Sequence, residues 1–419
     1  MSRAELKVAL EAAQDKKADI DLLQGAIGFE SVTGNETRFA AFLSDQLNAL
    51  GMDAKRGPFD DVRENVWGVT TDVKGGRDLM ILGHTDTVHT RGWREYWKED
   101  PRANPYGGAI VEGKLWGRGA CDLKGGICAA IAGYRLLQAA GYELESRLSF
   151  AFIGDEESGE LGSGVSAGAK DLVERVKAGS IPKPDFAVYV EPTSLDVYTA
   201  QIGFFIADIV ITGKSAYFGT PELGVDALKA SHKVLSEIWA HEEELSKGAR
   251  HELLGSSSIL VTSCESGGFI SVPGEAKLSL IRKLLPGEHL DDAVSAFEKA
   301  VAKADLPDGI SVSVNYPAGR DHPKGGSPVE IPTDAEPALM LQDCVRSIRA
   351  GGGQVGGAPY WSEMPFLVNS LDCPTVYCAP GDISVAHTFE ERIEVEEYLD
   401  AVRVFALFIA AYCGVRQRT

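Results

Sequence analysis

Runs of apolar residues alternate along this chain with segments in which apolar residues recur every three or four positions. Short continuous runs predict buried strands, and the periodic segments predict helices. Strands are predicted at 65–70, 78–82, 148–153, 186–190 and 375–378, and helices at 127–138, 335–349 and 395–413, with two more in residues 1–52. This alternation predicts an α/β fold with a mixed sheet.

The composition changes near residue 198, where a separate group of elements begins. Strands are predicted at 205–212, 259–263, 277–282 and 310–315, and helices at 224–244 and 290–303. The order strand, helix, strand, strand, helix, strand is that of a small ferredoxin-like α/β sandwich. We therefore predict a discontinuous domain of residues 1–197 plus 320–419, interrupted by an inserted domain of residues 198–319.

Residues 80–88 join a predicted buried strand to polar residues, in the order M-I-L-G-H-T-D-T-V. Because residues two apart in an extended segment point to the same side, the carboxylate of Asp86 is expected to reach the imidazole of His84. A carboxylate on the far ring nitrogen is the usual support of a metal-bound histidine. The structural alternative is a strand-to-loop turn with polar capping residues.

Candidate metal ligands follow several of the predicted strands or lie in the loops between elements: His84, Asp122, Glu157, Glu191 and His387. Two histidines and three carboxylates suit one or two divalent ions, with Zn²⁺ as the default and Mn²⁺ or Co²⁺ as alternatives. Each residue also has a structural alternative. Asp122 fits a helix N-cap, Glu157 fits a helix start, and Glu191 and His387 fit ordinary loop positions.

Charge and cysteine content narrow the class of protein. The 419-residue chain contains 61 acidic residues (Asp+Glu) and 41 basic residues (Lys+Arg), which gives a net charge of −20. Such a surface repels phosphate and anionic lipid, so we expect no nucleic-acid or membrane partner, but the charge by itself identifies no substrate. The seven scattered cysteines and the charged N-terminal segment predict a cytoplasmic protein with reduced thiols.

Five motifs in order carry a resemblance to a known family: G-H-T-D-T-V, G-R-G-A-C-D-L-K-G-G, D-E-E, E-P-T and A-P-G-D…A-H. The chain resembles the co-catalytic metallohydrolases of the aminoacylase and glutamate carboxypeptidase family, which includes acetylornithine deacetylase and succinyl-diaminopimelate desuccinylase. The resemblance implies a catalytic domain of the zinc-exopeptidase type. It also implies that the inserted domain is a lid that often forms the contact of a homodimer.

The resemblance assigns roles to the candidate residues. Asp122 would bridge two ions, with His84 and Glu191 completing one site and Glu157 and His387 completing the other. In the same pattern, Asp86 would orient the imidazole of His84. Glu156 matches the family's general base, which takes a proton from a metal-activated water.

The predicted lid departs from the family pattern at positions that face substrate. Tyr217 stands where an oxyanion-stabilising histidine is usual, and Ile270 and Leu280 replace polar residues. A phenol can donate one hydrogen bond, so amide hydrolysis stays open. Alternatively, attack on an aromatic carbon that bears an amine would spread the negative charge into the ring, and a less polar lid would fit that reaction. Arg282 is a candidate carboxylate anchor, with a structural ion pair as its alternative.

We therefore predict a metal-dependent hydrolase of a C–N bond in a small carboxylate-bearing substrate. The narrower hypothesis is hydrolytic deamination of an aromatic amine such as 5-nitroanthranilate, because the chain resembles the nitroanthranilate aminohydrolase type of the family. One alternative is an N-acyl-amino-acid deacylase or dipeptidase-type amidohydrolase. The other is a non-catalytic binding protein with structural metals, against which Glu156 argues, since a structural site needs no base.

Overall fold

The computed structural model describes residues 3–71, 73, 75–157 and 164–418, which form two compact units. The first unit contains Met1–Thr199, Ile331–Gly356 and Phe366–Thr419, and the second contains Ala200–Glu330 and Gly357–Pro365. The second unit therefore takes in residues 320–330 and 357–365, which the sequence prediction had placed with the first.

The described residues contain eleven α-helices, the first three of which precede the first strand. In chain order, α1 to α11 are Arg3–Ala13, Lys16–Ile27, Thr37–Ala49, Trp93–Tyr96, Lys124–Ala139, Ala167–Lys177, Ala227–Ser246, Leu290–Ala302, Glu336–Ile348, Met364–Leu371 and Val395–Cys413. Short 3-10 turns lie at Pro101–Ala103, Pro221–Leu223 and Ile383–Val385. None of the helices in this described part of the chain is both long enough and apolar enough to cross a membrane.

The strands of the described residues are numbered β1 to β21 in chain order. They are Asp53–Pro58, Glu64–Val69, Leu79–His84, Ala109–Val111, Lys114–Trp116, Tyr142–Leu144, Leu148–Ile153, Phe186–Tyr189, Val197–Gln201, Gly203–Thr212, Arg250–His251, Gly255–Ser256, Ser258–Ser266, Glu275–Leu284, Ser311–Asn315, Gly325–Gly326, Val329–Glu330, Val355–Ala358, Thr375–Tyr377, Arg392–Glu394 and Val415–Gln417.

The N-terminal region forms three helices where the sequence predicted two. Helix α1 ends at Ala13 and α2 begins at Lys16, because the carboxylate of Asp15 caps α2 by accepting a hydrogen bond from the backbone N–H of Ala18 at 3.0 Å. Buried leucines continue on both sides of this break. The apolar spacing therefore looked like one helix, and the cap that divides it was the missed signal.

The sheet of the first unit places four parallel strands at its centre. Its strands follow the order β1-β2-β7-β3-β8-β19-β9, and β7, β3, β8 and β19 run parallel to one another. These four strands are buried along their whole length, which explains the continuous apolar runs of the sequence. Helices α5 and α11 pack together and both contact β3. All four strands therefore end at the same edge of the sheet.

The second unit contains the element order that the sequence predicted. Strands β13, β14, β10 and β15 form an antiparallel sheet in that order, and helices α7 and α8 occur between them in the sequence. Alternate residues of β10 are buried, including Phe205 and Ile209. They share one apolar core with Val234 and Ile238 of α7 and Phe297 of α8.

Candidate metal centre

The predicted ligands come together because neighbouring strands of the first unit end at one edge of the sheet. Strand β3 ends at His84, Glu157 follows the last residue of β7 by four positions, and Glu191 follows that of β8 by two. The carboxyl edge of a parallel sheet is where α/β proteins place their binding sites. Asp122 joins them from the segment before α5, and His387 from the loop after β19.

Asp122 lies between the two histidines. Its Oδ1 is 3.1 Å from Nε2 of His84, and its Oδ2 is 3.1 Å from Nε2 of His387. Glu157 Oε1 lies 3.0 Å from Nε2 of His387, and Glu191 Oε1 lies 3.8 Å from Nε2 of His84. The five residues thus form two groups that share Asp122, and within each group the ligand atoms lie within 4.8 Å of one another.

This donor set fits two divalent cations. Ligands at about 2.0–2.1 Å from a tetrahedral ion lie roughly 3.3 Å from one another, which is close to the distances within each group. The side chains of Asp122, Glu157 and Glu191 are 8%, 5% and 5% exposed. Buried carboxylates at such short range need positive charge to offset their repulsion. Imidazole and carboxylate together suit Zn²⁺, Mn²⁺ or Co²⁺.

The electrostatics of the site favour bound positive charge. Burial alone lowers the pKa of His84, but the hydrogen bond to Asp122 and the charges of Glu191 and Asp122 raise it well above its usual value. Burial also lowers the pKa of His387, but its hydrogen bonds to Asp122 and Glu157 have the larger effect and raise it. Burial raises the pKa of Asp122, but the hydrogen bonds from both histidines have the larger effect, so its pKa is lowered. We therefore expect protons and metal ions to compete for this site.

Glu156 lies next to two of the predicted ligands, His84 and Glu157, and is half-buried. Its carboxylate forms a third group with His84 and Glu157, in which the three ligand atoms again lie within 4.8 Å of one another. Its backbone N–H donates to Oδ1 of Asp86 at 3.2 Å. The residue predicted to be the general base is thus placed beside both the predicted ligand Glu157 and the imidazole of His84.

Asp86 makes contacts that differ from the sequence prediction. Nδ1 of His84 lies 2.9 Å from the backbone oxygen of Asp86, whereas Oδ1 of its carboxylate is 3.8 Å away. The carboxylate accepts hydrogen bonds from the backbone N–H groups of Glu156 and Glu157, at 3.2 and 2.9 Å, and from the hydroxyl of Thr33 at 3.0 Å. The prediction assumed an extended segment, but β3 ends at His84. Asp86 therefore contacts His84 through its backbone oxygen, and its side chain holds the backbone of Glu156 and Glu157.

Two residues that the sequence analysis missed hold the segment that carries Asp122. Oε1 of Glu391 accepts hydrogen bonds from the backbone N–H groups of Cys121 and Asp122, at 3.2 and 3.1 Å. Its other carboxylate oxygen accepts from Arg118, and both side chains of this pair are buried. Glu391 follows His387 by four positions, so one carboxylate connects two ligand segments. A charged residue close in sequence to each of the predicted ligands Asp122 and His387 could have been noticed. The pairing of Arg118 with Glu391 could not, because 273 positions separate them.

The two predicted substrate-binding residues belong to the second unit. The side chain of Tyr217 is 58% exposed, and its ring centroid lies 4.7 Å from that of Phe218. Arg282 is buried, and its guanidinium donates to Glu288 Oε1 at 2.6 Å. This is the structural ion pair that the sequence analysis gave as its alternative. The substrate-binding roles of Tyr217 and Arg282 stay predictions.

Comparison with known sequences gives a match over most of the chain. Residues 80–411 match peptidase family M20/M25/M40. An acetylornithine deacetylase of Proteus mirabilis is 27% identical over 362 residues, which cover 84% of each chain. A succinyl-diaminopimelate desuccinylase of Gluconacetobacter diazotrophicus is 25% identical over 410 residues, which cover 94% of this chain and 97% of the other.

Solved structures share the fold. A metallo-carboxypeptidase of the M20 family from Sulfolobus solfataricus superposes with a TM-score of 0.74 at 18% identity, covering 94% of this chain and 99% of the other. A dinuclear metal-binding M20 peptidase of Bacillus subtilis gives a TM-score of 0.61 at 14% identity, covering 95% and 98%. These comparisons confirm the predicted α/β fold with a mixed sheet.

Proposed function

Since this chain belongs to peptidase family M20/M25/M40 and is a metal-dependent hydrolase, we propose that it hydrolyses the amide bond of a small N-acyl amino acid. The observation that carries the proposal is the convergence of the five predicted ligands into two groups, with Glu156 beside them. The two relatives compared above, a deacetylase and a desuccinylase, support an acyl-group substrate.

Each residue of the site has a chemical task in this proposal. Divalent ions held by the two groups would supply Lewis acidity, which polarises a substrate carbonyl and lowers the pKa of a water molecule. Glu156 accepts the proton of the attacking water and passes it to the leaving nitrogen. Asp86 holds the backbone N–H groups of Glu156 and Glu157, so that one carboxylate stays a ligand while its neighbour acts as the base.

Hydrolytic deamination of an aromatic amine such as 5-nitroanthranilate is the second candidate. The observation that favours it is the apolar, aromatic surface around Tyr217, where Phe218 is 61% exposed and Ile270 is 55% exposed. A phenol in place of a histidine suits a reaction without a localised oxyanion. The sequence relatives favour the deacylase, which is therefore the first proposal.

A substrate panel separates the two candidates. The metal-loaded protein is assayed with N-acetylornithine, N-succinyl-diaminopimelate, other N-acetyl amino acids, dipeptides and 5-nitroanthranilate, and chelator-treated protein is the control. The first proposal predicts release of an amino acid from at least one N-acyl substrate, with kcat/KM on the order of 10⁴ M⁻¹s⁻¹ or above. Turnover of 5-nitroanthranilate without any deacylation would replace it with the second candidate.

We also propose Zn²⁺ as the native metal and a homodimer formed through the second unit. Among the described strands, β13 is an outer strand of that unit's sheet, and its Leu260 is 64% exposed. An exposed edge strand offers backbone donors and acceptors to a second copy. Light scattering of the purified protein should then give twice the chain mass of 44.9 kDa, and elemental analysis identifies the metal.

A further inference from the structure

Three charged side chains form a buried group in the first unit, and one of them, Asp155, directly precedes Glu156 in the chain. Glu36 precedes α3, Arg63 precedes β2, and Asp155 follows β7. These residues are 0%, 9% and 1% exposed, so solvent does not screen their charges. We call Glu36, Arg63 and Asp155 the Arg63 cluster.

Arg63 joins the other two members of the cluster. Its Nε and Nη2 donate to the two carboxylate oxygens of Glu36 at 3.1 and 2.5 Å, and its Nη1 donates to Oδ1 of Asp155 at 2.9 Å. The guanidinium carbon also lies 5.0 Å from the ring centroid of Phe59. Only a planar, forked cation can make this set of hydrogen bonds, since a lysine ammonium has no such fork.

Asp155 in turn holds the backbone of residues 164–167. Its Oδ1 accepts from the backbone N–H of Gly164 at 3.1 Å, and its Oδ2 accepts from those of Val165 and Ala167 at 3.0 and 3.1 Å. Its backbone oxygen accepts from the N–H of Ser166 at 3.0 Å. Asp155 has a φ of 74°, in the left-handed region that non-glycine residues seldom adopt. Such a conformation persists only where its surroundings hold it in place.

We propose that Arg63 is a positioning residue, which holds Asp155 in its left-handed conformation and so directs the next two carboxylates, Glu156 and Glu157, toward the metal groups. Asp86 holds the N–H groups of the same two residues, so the acidic pair is fixed from two directions. For Glu156 this inference rests on the proposed function. For Glu157 it concerns metal binding, which is measured without any substrate.

The test compares Arg63→Lys and Arg63→Met with Arg135→Met. Arg135 is the matched control, because it also donates to a buried carboxylate, that of Asp19, at 2.8 Å. Neither Arg135 nor Asp19 belongs to the metal groups. All variants are measured at a temperature where circular dichroism shows them folded. The readouts are metal affinity by chelator competition, hydrogen exchange of peptides covering 153–157 and 164–168, and separate kcat and KM values.

Both Arg63 variants should bind metal about 10–100-fold more weakly, as is typical when a residue supporting a ligand is lost. Exchange should rise in both peptides, and kcat should fall by about tenfold or more while KM changes by less than about threefold. Arg135→Met should lower the melting temperature and leave metal affinity, exchange in these peptides and kcat within about twofold of wild type.

Metal affinity and exchange within twofold of wild type in folded Arg63→Lys would overturn the inference, as would equal losses in Arg135→Met. If Arg63→Met does not fold, Arg63→Lys decides, because it keeps the buried positive charge. If wild-type protein hydrolyses no N-acyl amino acid, the proposed function fails. Metal affinity and exchange still decide the role of Arg63 in that case.

Discussion

Glu391→Gln perturbs the support of Asp122 without touching a predicted metal ligand. In the native structure the carboxylate of Glu391 accepts from the backbone N–H groups of Cys121 and Asp122 and from the guanidinium of Arg118. The glutamine oxygen can still accept from the backbone, but its NH₂ group then faces Arg118. The buried guanidinium is left with long contacts to two backbone oxygens, those of His89 at 3.4 Å and Thr388 at 3.3 Å.

The size of this effect follows from the burial of the pair. Removing one partner of a buried ion pair costs roughly 3–5 kcal/mol, because it leaves an uncompensated charge. The first unit has roughly 280 residues, so its unfolding entropy is about 0.6 kcal/mol/K. The melting temperature should therefore fall by roughly 5–9 °C. Metal affinity should fall about 10–100-fold, since repulsion between the new NH₂ group and the guanidinium of Arg118 displaces the side chain that holds the Asp122 segment.

Differential scanning fluorimetry and chelator competition measure the two effects, with Glu394→Gln as the matched control. Glu394 lies three positions further along, and its ion pair with Lys114 is partly exposed to solvent, so its loss should cost about 0–1 kcal/mol. If Glu391→Gln and Glu394→Gln shift the melting temperature equally, or if metal affinity does not change in Glu391→Gln, the argument from the buried pair is wrong.

Three further measurements test the account. Removing metal with a chelator should lower the melting temperature, because the ions bind only the folded state, and Zn²⁺, Mn²⁺ or Co²⁺ should restore it; an unchanged melting temperature would contradict the ligand assignment. Cys264 is the one exposed cysteine of seven and lies on β13, so Ellman's reagent should modify one thiol rapidly in protein diluted to the monomer, and Cys264→Ser should remove that fast phase. Burial raises the pKa of Cys344 from 9.0 to about 12, so above pH 9 this thiol ionises only in the unfolded chain, and its contribution to stability is lost as the pH rises toward 12. Between pH 8 and pH 10, urea unfolding of Cys344→Ala should show a loss of stability about 1.4 kcal/mol smaller than wild type, and equal losses would refute this assignment.

The central strands and the convergence of the candidate ligands at their ends could be predicted from the sequence. Strands β3, β7 and β8 are buried on both faces, so each was visible as a continuous apolar run. The polar residues that follow such runs lie at one edge of a parallel sheet, which brings His84, Glu157 and Glu191 together. Asp122 and His387 do not directly follow these strands. They were predicted from the five motifs that resemble the family.

The residues that support the ligands could not be predicted in the same way. Arg118 pairs with Glu391 and Arg63 pairs with Asp155 across 273 and 92 positions, and a single sequence carries no sign of such pairings. Asp86 contacts His84 through its backbone oxygen and not at hydrogen-bond distance through its carboxylate, because β3 ends at His84, and the apolar pattern places strand ends only to within a few residues. Tertiary contacts, which local patterns do not encode, determine these features.

The central claim is that two divalent ions and the carboxylate of Glu156 act together on an amide bond. Metal content and kcat of Glu156→Gln, measured on the substrate that the panel identifies, test this most directly. We expect unchanged metal content with kcat lowered by about 10²–10⁴, because glutamine cannot accept the proton of the attacking water. Full activity with both ions bound would contradict the claim, and loss of the ions together with the activity would show that Glu156 is a ligand and not the base.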